Sequence, residues 1–334
     1  MSNKNNSSTL KNINAILERE GRALPESYNN FEFGSMNMTG MSAKHLVLNG
    51  SNLDGADLSN VDIEAAIFTG VSLRGANLSG ANLKWVEFND CDLEGANLTG
   101  TNIEEATLNK VSFDSCIVVD TNFEFSKFKD VQMRGVEAVN ANFFHADFHE
   151  CRLTGFISHK NTSLSSFKKC DFESAVFTRT SLENISCDGS NFKYATLSNA
   201  NLEGAGLSNC DLRKASVMHA NMAGSDLTGA NLSGLRMASA SLAGAILNGA
   251  DFTGTSLINA DLYKTDCLET DFTEADLKGA NFEFSDLRGA IFNKSRVSGT
   301  HFEHVKMDED AVSKYRLIGA KFEFVNEEEY EGGY

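Results

Sequence analysis

The chain has 334 residues, 46 of them acidic and 29 basic, and a formal charge of −17. That balance argues against a basic nucleic-acid footprint. No run of 18 or more apolar residues is present to span a bilayer as a helix, and the opening Met1–Leu10 lacks the apolar core of a Sec signal peptide.

The first thirty residues are polar. Residues 1–9 have the Ser/Asn-rich composition of a disordered segment. Leu10, Ile13, Ile16 and Leu17 then take helical spacing, and Gly21 and Pro25 stop the pattern. This predicts a short amphipathic helix within residues 1–30 that caps the open edge of the first coil.

From Phe33 a different rhythm begins. Every fifth residue is apolar over 25 consecutive positions, from Phe33 through Met38, Ala43, Leu48 and Leu53 to Leu153. A second run of 32 such positions goes from Phe167 through Phe172 and Phe177 to Leu317 and Phe322. A period of five is neither helical nor that of a flat strand, so internal repetition decides the architecture. Around each apolar centre the neighbours are patterned. Two residues before it stands a small residue (Ala56, Ala76, Ala200) and one before it Asn or Asp (Asp57, Asn77, Asn201). Gly often stands two residues after it (Gly55, Gly75, Gly204). One large and one small inward residue per five can fill a narrow core, Asn and Asp favour tight turns, and Gly permits the corner.

The best copies read Ala-Asn-Leu-Ser-Gly (76–80, 230–234) and Ala-Asn-Leu-Glu-Gly (200–204). With dozens of copies in register, the chain resembles the pentapeptide repeat family over about nine tenths of its length. The resemblance implies an all-β fold, a right-handed quadrilateral β-helix with four pentapeptides per coil. The expected organisation is a polar segment with the capping helix (1–30), a first β-helical arm (31–153), an interrupting loop (154–166), a second arm (167–322) and an acidic tail (323–334).

All seven cysteines fall on inward positions. Cys91, Cys116, Cys151, Cys170 and Cys210 lie two before a centre, and Cys187 and Cys267 lie on centres. They read as small core hydrophobes made in a reducing compartment, without disulfide or metal. The densest chemical cluster, His145-Ala-Asp-Phe-His-Glu-Cys151, puts its two histidines on different sides of a corner, so it predicts no metal site. Phosphate-loop, zinc-protease and nucleophile-elbow motifs are absent from the sequence. We therefore expect no enzyme, no catalytic residue and no cofactor.

The exceptions to the beat carry the functional expectations. Between Leu153 and Phe167 the frame is one residue short of three repeats, and Phe156, Ile157 and His159 are unusual residues for a neutral loop. Asp310 and Tyr315 would occupy small inward positions, so 308–316 should leave the coil as a short helix and 317–322 close the core. Trp85 and Phe125, forty residues apart with Glu105 between, should share one face. Phe284 and Phe324, with His304 between, should repeat that geometry. These seven residues (Trp85, Phe125, Phe156, Ile157, His159, Phe284 and Phe324) are the candidate partner-binding positions, exposed aromatics being common interface anchors.

The function expected from these features is a protein-binding scaffold or adaptor. The polar start resembles a type III secretion signal and the organisation resembles that of pentapeptide-repeat effectors, which implies a bacterial protein exported to a host cell without a Sec signal. The alternative, implied by topoisomerase-protecting members of the family, is a bacterial cytoplasmic DNA mimic that binds DNA gyrase or topoisomerase IV. The partner is then a host protein or a type II topoisomerase, with no direct nucleic acid and no membrane-spanning helix. An end-to-end homodimer through the C-terminal coil is compatible with either.

Overall fold

The computed structural model describes residues 28–154, 157–158, 166–315, 317 and 320–324. The predicted capping helix lies outside the described residues. The chain forms two compact units, Met1–Lys160 and Asn161–Tyr334.

Both units rest on one local event. Every fifth residue from Asn30 to Glu150, and again from Lys169 to His304, has a positive φ between 51° and 73°. This is the left-handed region, and it turns the chain by a corner. Between corners, centre and corner amides both donate to the coil ahead, as in Leu53 N to Ser72 O (2.7 Å) and Gly55 N to Arg74 O (2.8 Å). The residue before a centre donates backward, as in Asn77 N to Ala56 O at 2.9 Å. Partners therefore lie one coil of four pentapeptides apart.

In the first unit one side of the coil is a parallel ladder. It runs through β1 (Tyr28–Asn29), β2 (Val47–Asn49), β3 (Ile67–Thr69), β4 (Glu87–Asn89), β5 (Thr107–Asn109), β7 (Lys127–Lys129) and β9 (Asp147–His149). Its register steps by twenty, Leu48 to Phe68 to Phe88 to Leu108 to Phe128 to Phe148. A second side carries β6 (Ile117–Val119), β8 (Glu137–Val139) and β10 (Ile157–Ser158). Ile157 pairs with Glu137 and Ser158 with Ala138, so the coil runs on past Leu153 into the segment expected to be a loop.

The centres form the core. Phe88, Leu93, Leu98, Leu108, Phe113, Phe123 and Phe143 are wholly buried. Identical residues stack coil on coil: Phe123 on Phe143 at 5.0 Å and Phe128 on Phe148 at 3.9 Å between ring centroids. The small inward position is mostly Ala, Val, Ser, Thr or Cys, with larger apolar residues such as Met36, Ile185 and Leu235, and the hydroxyls there are satisfied. Thr101 Oγ1 donates to Leu78 O (2.8 Å), Thr121 Oγ1 to Leu98 O (2.7 Å) and Ser126 Oγ to Ile103 O (2.6 Å). Cys116 Sγ fills the same role toward Leu93 O at 3.0 Å. A buried hydroxyl is tolerated because it has a fixed acceptor. Outside, the Asn and Asp before each centre close a turn, as in Asn52 Oδ1 accepting from Asp54 N at 2.9 Å. They also link coils, Asn142 Nδ2 donating to Asn122 Oδ1 at 2.9 Å and Asn122 Nδ2 to Asn102 Oδ1 at 3.1 Å.

The second unit opens with β11 (Ser166–Lys168) and repeats the scheme mostly with single bridging residues, such as Asn231 to Asp251 to Asp271. Phe252, Phe272 and Phe292 stack at 5.4 and 5.3 Å. Near its end β12 (His301–Val305) is followed by α1 (Ala311–Lys314), and Leu317 is buried. This matches the expected departure at residues 308–316. The coil then resumes in β13 (Lys321–Phe324), parallel to β12, with Phe302 opposite Phe322. The acidic segment thus begins inside a strand; residues 325–334 lie outside the described residues.

All seven cysteines are buried and none forms a disulfide, as the beat requires. Burial pushes the Cys91 thiol up to about 11 and those of Cys116, Cys210 and Cys267 up to about 12, and holds Cys187 well above 9.0. A thiol raised on folding stabilises the protein fully below its unfolded value and loses that contribution as pH climbs toward the folded one. The urea midpoint should therefore fall between pH 9 and about 12, and less steeply in Cys116→Ala. At pH 8 a thiol reagent should find no reactive cysteine in the native protein and all seven after denaturation.

Candidate partner-binding site

The corner position decides which side chains face solvent. Trp85, Glu105, Phe125 and His145 occupy one corner in four successive coils of the first unit, with φ of 61°, 55°, 57° and 54°. All four are exposed, Trp85 at 44% and Phe125 at 47%. The ladder spacing puts the two rings roughly 10 Å apart, two coils of ~4.8 Å each.

Bulky residues in the left-handed region cost on the order of 1–2 kcal/mol each, and these rings recover part of that from their neighbours. Lys84 Nζ sits 4.7 Å from the Trp85 ring centroid while bonding Glu104 Oε1 at 2.8 Å. The hydrogen bond to Glu104 is the main reason the Lys84 ammonium is held above its usual range. His145 stacks on Phe125 at 5.1 Å and 7°, with Phe144 edge-on to it at 4.4 Å. His145 is thereby part of the aromatic column, while His149 lies 3.6 Å from Glu150 and Cys151 is buried.

The other candidates fall out differently. Ile157 is placed by the backbone beside Glu137. Phe156 and His159 lie outside the described residues. Phe284 (φ 63°) is half-buried, stacked on His304 at 4.7 Å and edge-on to Tyr263 at 5.6 Å. Phe324 does not continue that column. After Glu303 pairs with Glu323, the register shifts and Phe324 faces Val305 instead of His304. An irregularity of one residue in the last ladder shifts the pairing of Phe324.

Two further features lie outside the candidates named from the sequence. Tyr194, at a corner with φ 59°, is 49% exposed and accepts a hydrogen bond from Lys214 Nζ at 2.9 Å. The same two-after-centre rule names it. Glu283, His301 and Glu303 bring three potential ligand atoms within 4.8 Å of one another. Only the twenty-residue pitch makes that group visible.

In the second unit an open groove is lined by Glu274, Asp276, Lys294 and Arg296, paired as Lys294–Glu274 (3.0 Å) and Arg296–Asp276 (3.4 Å). A hollow at the start of the first unit, about 30 Å³, is lined by Phe33, Met38, Met41, Leu46 and Leu48 and other apolar core residues. It offers no acid, base or nucleophile. No helix among the described residues is long and apolar enough to cross a membrane.

Family models of pentapeptide repeats match residues 27–98 and 66–143, described as a pentapeptide repeat region, and four stretches spanning 170–303, described as pentapeptide repeats in eight copies. The chain belongs to the pentapeptide repeat family. Its fold is the family's quadrilateral β-helix. It is similar to HetL, a pentapeptide repeat protein involved in heterocyst differentiation regulation in the cyanobacterium Nostoc sp. strain PCC 7120. That match has 21% identity, covers 85% of this chain and 94% of HetL, and has a TM-score of 0.23. It is also similar to QnrB1, a plasmid-mediated fluoroquinolone resistance protein (19% identity, 88% and 99% covered, TM-score 0.21). A third is Rfr23 from the cyanobacterium Cyanothece 51142 (17% identity, 42% and 91% covered, TM-score 0.23). No curated protein matches the sequence.

If the corner rings serve a partner and not the fold, removing them should be nearly free. Trp85→Gly and Phe125→Gly should each change unfolding free energy by less than about 1 kcal/mol, because relief of the left-handed strain offsets lost ring contacts and added chain entropy. Phe128→Ala, one position class away but in the core, should cost about 3–5 kcal/mol. Urea denaturation distinguishes these, and a loss above about 2 kcal/mol at Trp85 or Phe125 would make those rings packing elements.

Proposed function

We propose that the protein is a non-enzymatic protein-binding scaffold that docks its partner on the Trp85–Glu105–Phe125–His145 corner column. The observation that carries this reading is the pair of large rings held exposed in a backbone region where such residues are disfavoured. The coil imposes that backbone at every corner, so what marks these two is the choice of a large exposed ring where Gly or Asn is less strained, and Trp and aromatic neighbours are the usual anchors of interfaces. The side chains Phe156 and His159 and the polar start belong to the same reading as elements that would extend contact or direct export.

The second reading is DNA mimicry toward a type II topoisomerase, and the acidic excess favours it. Between Met36 and Leu153 there are 17 acidic and 8 basic residues. At the ladder spacing this is one net charge per about 3 Å of coil stack, roughly half the density of duplex DNA. Much of that charge is also locally paired. Arg74 Nη1 lies 2.7 Å from both Asp92 and Glu94, and Arg134 grips Asp114 through Nε at 2.8 Å. The aromatic column is therefore the stronger basis.

A photo-crosslinking residue at Glu105 should capture a discrete partner from the source cell or its host. The Trp85→Gly/Phe125→Gly double variant should lose capture while remaining folded. Capture that survives the double variant would sink the column as the docking site. Inhibition or protection of gyrase supercoiling by the purified protein, unaffected by that variant, would move the assignment to DNA mimicry.

A further inference from the structure

The last coils of the second unit hold a group that the docking reading does not use. Glu283 and Glu303 are one coil apart on the same side, and the backbone register extends the column to Glu323. Like charges placed directly opposite in a ladder are destabilising. In the first unit acidic neighbours are bridged by a cationic side chain: Lys84 reaches Glu104 (2.8 Å) and Glu105 (3.4 Å), and Lys44 reaches Glu64 (2.8 Å) and Asp62 (3.3 Å). At Glu283 and Glu303 the bridging group is instead an imidazole. His301 Nδ1 lies 3.1 Å from Glu303 Oε2 and 3.9 Å from Glu283 Oε1. All three side chains are one quarter to one third exposed, so the open side faces water.

We propose that Glu283, His301 and Glu303 bind a divalent first-row transition ion of the zinc type, which clips two successive coils together. An imidazole nitrogen with two carboxylate oxygens is a donor set suited to such ions, and the imidazole disfavours calcium and magnesium. Bonds of about 2.0–2.2 Å to each donor bring ligand atoms to roughly 3–3.5 Å of one another. Side-chain adjustment alone closes that gap from the present 4.8 Å limit. Water completes the coordination on the exposed side. Hydrogen bonding to Glu303 holds Glu283 above the usual carboxylate range. At Glu303, burial is outweighed by the hydrogen bonds from His301 and Glu283, and Glu303 lies below that range. His304 and Lys321 contribute to the same field without joining the set. The ligands come from two coils, with His301 paired by the backbone to Asn281, so a bound ion ties the ladder across its final turns.

The test is titration of the full-length protein with Zn²⁺ by calorimetry, and with Co²⁺ by visible absorption. One equivalent should bind specifically, and the thermal midpoint should rise with Zn²⁺ concentration. His301→Gln and Glu283→Gln should each weaken that binding at least tenfold and abolish the thermal shift. His219→Gln, a control at a distant corner, should leave both intact, and millimolar Mg²⁺ or Ca²⁺ should not compete. If His301→Gln disturbs the coil, Glu283→Gln alone decides, since it keeps the shape of a surface side chain. Binding unchanged in Glu283→Gln, loss of binding in His219→Gln, or no stoichiometric binding to the wild type would each overturn the proposal.

Discussion

A left-handed turn at every fifth residue is the constraint on which everything else in this protein depends. It ends each short strand before a second inward centre can be added, so each side of a coil contributes one large and one small residue to the core. It also returns the chain to the same side after twenty residues, which puts identical positions directly above one another. Phenylalanines then stack, asparagines join in ladders, and buried threonines find the carbonyl one coil below. None of these contacts exists without the corner. None is strong alone; the solenoid is a sum of near-identical local terms.

The same constraint sorts the surface. Corner side chains cannot enter the core, so whatever occupies a corner is exposed or lies along the outside. Glycine and asparagine are the least strained choices there. Tryptophan, phenylalanine and tyrosine are not, and Trp85, Phe125 and Tyr194 are each over two fifths exposed. A scaffold of this kind has little freedom to place function inside. It can vary its corners, its outward ladder positions and its ends. The column proposed for docking lies at the first of these and the Glu283–His301–Glu303 group at the second.

The fold was legible because a period of five excludes a helix and a flat strand, and because the repeated copies resemble a family whose coil is known. The burial of every cysteine and the departure at residues 308–316 came from asking which side chains the inward positions admit. The candidate site was legible only in part. Trp85 and Phe125 share a face because the register stays at twenty between them, and a count from the centres is enough to find that. Phe324 fails the same count because the last ladder slips by one residue, from Glu303 opposite Glu323 to Val305 opposite Phe324. A slip of that kind leaves no mark on the spacing. The spacing assigns Ile157 to a loop because the inward sequence beside it is poor, yet the ladder holds its backbone against Glu137.

Sequence alone determined the repeat, the identity of inward and outward positions, and the acidic balance of the surface. Each comes from periodicity and composition, which are properties of the chain as written. The tertiary structure decided what meets across coils: which aromatic rings stack with a histidine, which carboxylates lie under a lysine, and which lie under His301. Those pairings depend on register and on the direction each side chain takes from its corner. Residues eighteen and twenty apart become neighbours only after the coil has closed.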